Sequence, residues 1–237
     1  MTCSSPKSRW WLGNDPIATA VYNGLSLNFP RAEAFFISSV KKYAGQVPDG
    51  LAGEVRSFII QESMHTREHA KLNRRIVAAG YNIGNIEIRM NSVLAQTRQM
   101  PDSAKLASTM ILEHITAIGS RQLLSDHTHL AGAHPKVNDL WQWHAVEEIE
   151  HKAVAYDVWI HATKDWSPWE RWKTRCMLML VVTAGFCKQR WPLRGITTVS
   201  ETEIGGSEVR LHWIVMREPS SGRPQKIGIW QHWHLTS

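Results

Sequence analysis

Two Glu-x-x-His motifs are the residues of this chain whose types and spacing best suit metal chemistry. The first contains Glu62 and His65, and the second contains Glu148 and His151. Residues three apart on a helix share one face, so each motif would present a carboxylate beside an imidazole. The imidazole can bind one metal ion while the carboxylate reaches a second ion. The two motifs therefore predict ligands for a pair of metals.

Both motifs lie on stripes of apolar residues spaced by three and four, at positions where leucines would be expected. The same stripes carry His69 and His144, each one turn from a motif residue. These two histidines are either additional ligands or groups that orient the carboxylates. The stripes consist of Val55, Phe58, Glu62, His65, His69, Leu72 and Ile76, and of Val137, Trp141, His144, Glu148, His151, Ala155 and Val158.

Two other helical segments each place a single glutamate on an apolar face. Glu33 is in phase with Phe36. Glu113 is in phase with Met110. Four helices would thus supply Glu, Glu-x-x-His, Glu and Glu-x-x-His in that order. This is the ligand set of di-iron and di-manganese carboxylate bundles, and it predicts an all-α, ferritin-like four-helix bundle.

Each piece alone has an ordinary explanation, because most Glu-x-x-His pairs are solvated and most buried histidines are hydrogen-bonded core residues. The combination is different. Four glutamates in one core would repel each other and lose several kcal/mol of solvation each. The stripes carry no Lys or Arg, whereas two divalent cations would balance four carboxylates. We therefore expect a dinuclear site whose ligands are Glu33, Glu62, His65, Glu113, Glu148 and His151.

The bundle template assigns a role to each ligand and narrows the choice of metal. Carboxylate and imidazole together suit iron, manganese or zinc, and iron is the first expectation. No cysteine lies near the motifs, which argues against an iron–sulfur centre. In the template, one metal is held by Glu33 and His65, the other by Glu113 and His151, and the bridging, candidate catalytic residues are Glu62 and Glu148.

Helices must position these ligands, and proline and glycine mark where the helices begin and end. Pro30 predicts the start of the first helix, and Gly80 predicts the end of the second. Residues 1–28 show no sustained period and are expected to form an irregular leader. Residues 81–100 are ambiguous and could form a shorter, additional helix. Within a helical domain at 29–190, the predicted helices are 31–44, 51–79, 103–124, 136–162 and 169–188.

The C-terminal segment, residues 191–237, has a different pattern of apolar and polar residues. Residues 208–218 alternate apolar and polar side chains, which is the period of a strand. A turn-rich segment separates them from a second such run at 226–235. The pattern predicts a short β-hairpin attached to the bundle, with a disordered tail as the alternative.

Composition limits the partners and the compartment. The net charge is +6, but no run of basic residues or nucleic-acid motif accompanies it, so we expect no nucleic-acid partner. Three cysteines without a CxxC pair and no signal peptide favour the cytoplasm. The segment 166–191, which contains the predicted helix 169–188, has tryptophan and basic flanks around an apolar run too short to span a bilayer. It predicts either packing on the bundle or in a homodimer, or peripheral membrane contact.

Four segments of the chain resemble the bacterial family described as predicted metal-dependent hydrolases, over about residues 25–190. The resemblance implies a metal-dependent enzyme and favours hydrolysis. The ligand set itself favours oxygen-dependent oxidation of a small, apolar organic substrate, and metal storage or a structural bundle is the non-enzymatic alternative. The segments are Phe29-Pro30-x-x-Glu33-x-Phe35-Phe36, Gln61-Glu62-x-x-His65-x-x-x-His69, Glu113-His114-x-Thr116-Ala117 and Trp143-His144-x-x-Glu147-Glu148-x-Glu150-His151-Lys152.

Overall fold

The structure, a computed structural model, describes the backbone of residues 9–188 and the side chains of residues 9–185. This part of the chain is helical and contains no β-strand, which confirms the all-helical prediction there. The predicted β-hairpin within 191–237 lies outside the described residues. The helices are α1 (Pro16–Lys41), α2 (Asp49–Ala78), α3 (Gly84–Arg98), α4 (Asp102–Ser125), α5 (Pro135–Ala162) and α6 (Pro168–Lys188), with a 3-10 turn at His127–Leu130.

The start of α1 differs from the prediction, since the irregular leader expected at 1–28 is helical from Pro16. The Asp15 side chain caps this helix by accepting hydrogen bonds from the backbone N–H groups of Ile17 and Ala18, at 2.8 and 3.0 Å. Pro16 occupies the first helical position, where its missing N–H costs nothing. An N-cap residue followed by proline marks the start of a helix. This signal was overlooked because the segment has no apolar period.

The first half of α1 lacks an apolar period because its buried face is made of small and polar residues. Asn23, Gly24 and Ser26 are all buried there. Pro30, expected to open the helix, lies inside it instead. A proline in a helix interior removes one backbone hydrogen bond, so the carbonyl four residues earlier must find another partner. That carbonyl belongs to Ser26.

The helices pack as two close pairs, α1 with α2 and α4 with α5. One apolar cluster, which includes Phe36, Phe58 and Trp159, fills one end of the bundle. A second cluster, which includes Leu72 and Trp141, fills the other end. On α2 and α5, the residues between the two clusters are the glutamates and histidines of the predicted site. The apolar core is therefore interrupted by a polar layer in the middle of the bundle.

Helix α6 lies outside this bundle and packs against α4. Leu178 and Val182 on one of its faces join the first apolar cluster. Its other face is exposed: Trp169 retains 64% of its accessible surface and Leu180 retains 67%. None of the helices in the described part of the chain is both long and apolar enough to cross a membrane.

Candidate metal centre

The polar layer brings together all eight residues that the sequence singled out as ligands or neighbours of ligands. None of their side chains is in contact with bulk water, since each residue is at most 3% exposed. Their role as metal ligands stays a prediction. Helix α1 contributes Glu33, α2 contributes Glu62, His65 and His69, α4 contributes Glu113, and α5 contributes His144, Glu148 and His151.

His65 is held by a carboxylate outside the centre. Its Nε2 lies 2.8 Å from Oε2 of Glu147, a partly exposed residue on α5. A carboxylate can only accept, so the ring proton of neutral His65 sits on Nε2, and Nδ1 carries a lone pair. That Nδ1 faces inward, 3.5 Å from Oε1 of Glu148 and 3.8 Å from Oε2 of Glu62. A histidine oriented by a carboxylate behind it is typical of metal ligands.

His151 has the same arrangement with a weaker partner. Its Nε2 lies 3.3 Å from the amide oxygen of Gln61. Its Nδ1 faces inward, 3.0 Å from Oε1 of Glu62 and 3.9 Å from Oε2 of Glu113. The ring of Phe58 packs edge-on against it, with centroids 5.0 Å apart. Both motif histidines thus direct Nδ1 into the same polar layer.

The carboxylate of Glu148 lies near three imidazole rings of the centre. Its Oε1 is 3.0 Å from Nε2 of His144, 3.5 Å from Nδ1 of His65 and 3.6 Å from Nδ1 of His151. Glu62, His65, Glu148 and His151 each offer a donor atom, and these atoms all lie within 4.8 Å of one another. Glu148 can therefore reach a cation bound by any of the three histidines.

The lone glutamates complete the layer from the two other helices. Glu33 has one oxygen fixed by the hydroxyl of Thr66, which donates to its Oε2 at 2.8 Å. Glu33 also belongs to a second group of possible ligands, with His65 and His144, whose donor atoms lie within 4.8 Å of one another. Glu113 is fully buried across the centre, beside His151.

The unpaired polar atoms of this layer fit a metal. An unpaired buried donor or acceptor costs about 1–3 kcal/mol, so a group of them in one place requires a compensating ligand. Carboxylate oxygens and imidazole nitrogens are the donors that iron, manganese and zinc bind. Among the described residues, the buried atoms without a hydrogen-bond partner include Oε1 of Glu33, both carboxylate oxygens of Glu62 and of Glu113, Oε2 of Glu148, and Nδ1 of His65 and of His151.

The spacing of these atoms also fits. Ligands about 2.1 Å from one metal and at right angles to each other lie about 3 Å apart. The Nδ1 of His151 and Oε1 of Glu62 are 3.0 Å apart, without the angles of a hydrogen bond. Such pairs are arranged as neighbouring corners of a coordination shell rather than as donor and acceptor.

Burial and mutual repulsion make two acids of the centre, Glu33 and Glu113, hard to ionise. Burial, followed by the charge of Glu62, raises the pKa of Glu33 to about 9. Burial, followed by the charges of Glu148 and Glu62, raises the pKa of Glu113 well above its ordinary value. Both carboxyl groups would therefore hold a proton at neutral pH unless a cation replaced it.

The histidines divide into two kinds. Burial lowers the pKa of His151, but the adjacent carboxylates of Glu148 and Glu62 outweigh burial and raise the pKa to about 10. Burial, aided by neighbouring imidazoles, lowers the pKa of His69 well below its ordinary value, and burial also lowers the pKa of His144. His69 and His144 are thus neutral at pH 7, so each carries one ring proton and one lone pair.

A chain of close contacts leads out of the centre from Glu148. Its Oε1 lies 3.0 Å from Nε2 of His144, whose Nδ1 lies 2.8 Å from Nε2 of His69. The Nδ1 of His69 lies 2.9 Å from Oγ of Ser26. The hydroxyl of Ser26 in turn donates to Oδ1 of Asn73 at 2.7 Å. His144 therefore adjoins the carboxylates, whereas His69 lies one residue further out.

The partners of the ligands were largely missed by sequence reasoning. Gln61, Thr66 and Asn73 were not assigned a role, nor was Ser26 in the segment taken for a leader. One signal was available on α2: Thr66 and Asn73 are polar residues four positions after Glu62 and His69. Residues four apart are neighbours on a helix, so such positions are suited to support a ligand.

A cavity of about 840 Å³ lies at the end of the bundle where α1 begins. Its lining combines aromatic side chains with polar and basic ones, and none of the eight site residues contributes to it. Asn23 of this lining is three residues before Ser26 on α1, so the cavity and the contact chain are one helical turn apart. The lining includes Trp11, Asn23, Arg75, Tyr81 and His134.

Comparison with known proteins extends the resemblance that the motifs suggested. The family model described as "predicted metal-dependent hydrolase" matches residues 1–221, whereas the motifs predicted a match over about residues 25–190. That range was too narrow because it rested on the four motif segments alone. Neither the curated proteins nor the solved structures gave a match. Since the family model matches far more than half of the 237 residues, the chain belongs to the family of predicted metal-dependent hydrolases.

Proposed function

We propose that this protein is a hydrolase whose active site holds two divalent metal ions in a ferritin-like four-helix bundle. The observation that carries the proposal is the group of buried carboxylate oxygens and imidazole nitrogens without partners among the described residues. Membership in a family of predicted metal-dependent hydrolases supports hydrolysis as the reaction class. When bound, the two ions would act as Lewis acids and lower the pKa of a water molecule that attacks the substrate.

The residues of the chain would take distinct parts in this site. Glu62 and Glu148 lie between the inward-facing nitrogens of His65 and His151 and would bridge the ions. Glu147 would hold His65 in the tautomer that keeps its lone pair directed inward. The apolar clusters at both ends of the bundle would exclude bulk water, which strengthens every electrostatic interaction in the layer.

The substrate would be a small molecule, and the cavity beside α1 would hold the part of it that does not react, because none of the eight site residues lines that cavity. The sequence predicted an apolar substrate, and Trp11 and Tyr81 in the lining suit an apolar body. Arg75 and His134 add basic groups to the same lining, so we expect the substrate to carry an acidic group as well. An ester or phosphoester of such a molecule would combine both properties.

Metal content and turnover of the purified full-length chain test the proposal. We expect two ions per chain, hydrolysis of esters or phosphoesters by the zinc- or manganese-loaded protein, and loss of turnover with a chelator. Glu62→Ala and Glu148→Ala should each abolish binding of both ions, because each removes a bridging carboxylate. Glu150→Ala changes an exposed glutamate of the same helix and should bind metal normally.

Retention of two ions by either bridging variant would contradict the ligand assignment. Two bound ions without turnover of any ester or phosphoester would favour metal storage or a structural role. Storage would further require a large cage, which gel filtration would detect.

Oxygen-dependent oxidation is the second candidate, and the ligand set is the observation that favours it. Paired Glu-x-x-His motifs with two further glutamates are typical of di-iron proteins. The ligand pattern alone ranked oxidation first, and the family description reverses that order. Anaerobic loading with ferrous iron followed by oxygen separates the two. Oxygen uptake with a transient visible absorption would support oxidation, and its absence would remove it.

A further inference from the structure

A proline interrupts the backbone hydrogen bonds inside α1. Pro30 has no N–H to donate, so the carbonyl of Ser26, four residues earlier, loses its partner within the helix. The side chain of Asn73 on α2 replaces that partner, with its amide nitrogen 3.0 Å from the Ser26 carbonyl oxygen. A backbone carbonyl can only accept, so this contact fixes which end of the Asn73 amide is nitrogen.

The orientation of Asn73 determines where the Ser26 proton goes. With its nitrogen bound to the Ser26 carbonyl, Asn73 presents its amide oxygen to Oγ of Ser26 at 2.7 Å. An amide oxygen can only accept, so the single hydroxyl proton of Ser26 is donated to Asn73. The hydroxyl can then only accept from its other neighbour, Nδ1 of His69, at 2.9 Å.

The same logic fixes the tautomers of both histidines. His69 donates from Nδ1, so its Nε2 carries a lone pair in the neutral ring. That Nε2 can only accept the proton on Nδ1 of His144, 2.8 Å away. The Nε2 of His144 therefore also carries a lone pair. It faces Oε1 of Glu148 at 3.0 Å, and two acceptors at that distance require either a proton or a metal ion between or beside them.

We propose that Asn73, Ser26 and His69 form a polarised hydrogen-bond chain that makes His144 a third imidazole ligand of the metal centre, through Nε2. The proposal rests on the proposed function, because it requires metal in this layer. His144 is a ligand and His69 is a positioning residue, which separates two histidines that sequence spacing treats alike. The direction of each hydrogen bond in this series also matters. Reversing any one of them would place a proton on Nε2 of His144 and make that nitrogen a donor.

The surroundings of His144 agree with this role. Its ring stacks on His65, with centroids 4.0 Å apart and planes inclined by 12°. Phe29 covers the ring at a centroid distance of 4.7 Å. His144 belongs to the group of possible ligands that also contains Glu33 and His65. One ion would thus bind two imidazoles and the other would bind His151, so the two sites would be chemically unequal.

The first test uses the unmodified full-length protein with ¹⁵N-labelled histidine and zinc. The shifts should show His144 metal-bound at Nε2 and protonated at Nδ1, and His69 protonated at Nδ1 without bound metal. The His144→Gln variant identifies the His144 signals by their loss. A zinc-loaded protein in which Nε2 of His144 carries a proton, or in which His69 is metal-bound, would overturn the proposal.

The second test measures metal affinity and the visible spectrum of the cobalt-loaded protein. Ser26→Ala and Asn73→Leu interrupt the chain without touching a ligand, and the loss of an orienting partner typically costs 10–100-fold in metal affinity. Ser39→Ala is the matched control: Ser39 is also a buried serine of α1, but it bonds Thr109 outside the chain. Circular dichroism establishes that each variant is folded.

The outcomes separate this proposal from the proposed function. Weaker cobalt binding and an altered spectrum in both chain variants, with Ser39→Ala unchanged, are the expected result. Folded chain variants with the affinity and spectrum of the unmodified protein would overturn the chain while leaving the centre intact. An unmodified protein that binds no zinc or cobalt would contradict the centre itself.

Discussion

At the residue scale, the two Glu-x-x-His motifs are alike in sequence but are supported differently. The ring of His65 bonds the carboxylate of Glu147 at 2.8 Å, whereas the ring of His151 bonds the amide of Gln61 at 3.3 Å. A carboxylate makes an imidazole more basic and a better metal ligand than a neutral amide does. The hydrogen-bond partners of the two histidines thus distinguish two motifs that look equivalent in sequence.

The pKa shifts of Glu33 and His151 predict how pH acts on the metal-free protein. Their pKa values rise from 4.5 to about 9 and from 6.5 to about 10. Between pH 6.5 and 9 these two groups therefore hold two protons in the folded state that the unfolded state releases, and Glu113, whose pKa is also raised, acts in the same direction. Stability must fall as pH rises through this range, by roughly 1.4 kcal/mol per pH unit for each proton.

Zinc should reverse this trend, because metal binding displaces the protons that oppose it. His69 and His144 do not disturb the range, since their lowered pKa values affect stability only below pH 6.5. Urea unfolding of the metal-free and zinc-loaded chain at pH 6.5 and 9 measures both effects. Metal-free stability that is constant or rises with pH would contradict the prediction, and Glu33→Gln should reduce the slope.

Sequence spacing could predict the residues that face the centre, because a helix repeats every 3.6 residues and an interior glutamate or histidine breaks an apolar stripe. The spacing could not separate His69 from His144, since both lie on the stripes. Their roles depend on Ser26, which contacts His69 from another helix, α1. Such contacts depend on how the helices pack against each other. The apolar period of a single helix carries no information about its packing partners.

At the scale of the secondary-structure elements, α1 is a helix whose beginning the apolar period does not predict. Its first half buries Asn23, Gly24 and Ser26, so no apolar stripe reveals the helix. Pro30 appeared to open the helix because proline is common at first positions, yet it lies inside. The later elements were predicted closely, and α2 at Asp49–Ala78 agrees with the expected 51–79. Strong periods and clear end signals account for that agreement.

The cap of α1 is the basis for a prediction about this element. Asp15→Ala removes the acceptor for two backbone N–H groups and should destabilise the protein by about 1 kcal/mol. Asp15→Asn keeps an oxygen in the same position and should cost much less. Urea unfolding of both variants measures the difference. Equal losses in the two variants would show that the charge, rather than the cap, stabilises the start of α1.

At the scale of the whole molecule, the exposed face of α6 is the surface that the bundle does not explain. Trp169 and Trp172 stack on each other with centroids 4.9 Å apart while remaining largely exposed. Leu180 and Val181 extend the apolar surface along the helix. An exposed apolar patch of this kind commonly marks an interaction site. The homodimer and the peripheral membrane contact predicted from the sequence both remain predictions.

We expect a second copy of the chain to cover this face. Light scattering of the purified protein should give a dimer, and the double variant Trp169→Ser, Trp172→Ser should shift it toward monomer. The control is Ile88→Ser, which changes an exposed apolar residue on α3. A monomer that co-sediments with anionic vesicles would support membrane contact instead. A monomer that binds no vesicles would contradict both predictions.

The polar layer between the two apolar clusters has a consequence for how the bundle unfolds. Each cluster can hold its own end of the helices together, but the layer between them offers no apolar burial to join the ends. Bound metal would supply bonds from four helices at once and make the two ends open as one cooperative unit. Without metal, amide hydrogen exchange should reveal two ends that open separately, each with its own protection. Metal binding at the candidate centre would then also determine whether the bundle unfolds as one cooperative unit or as two.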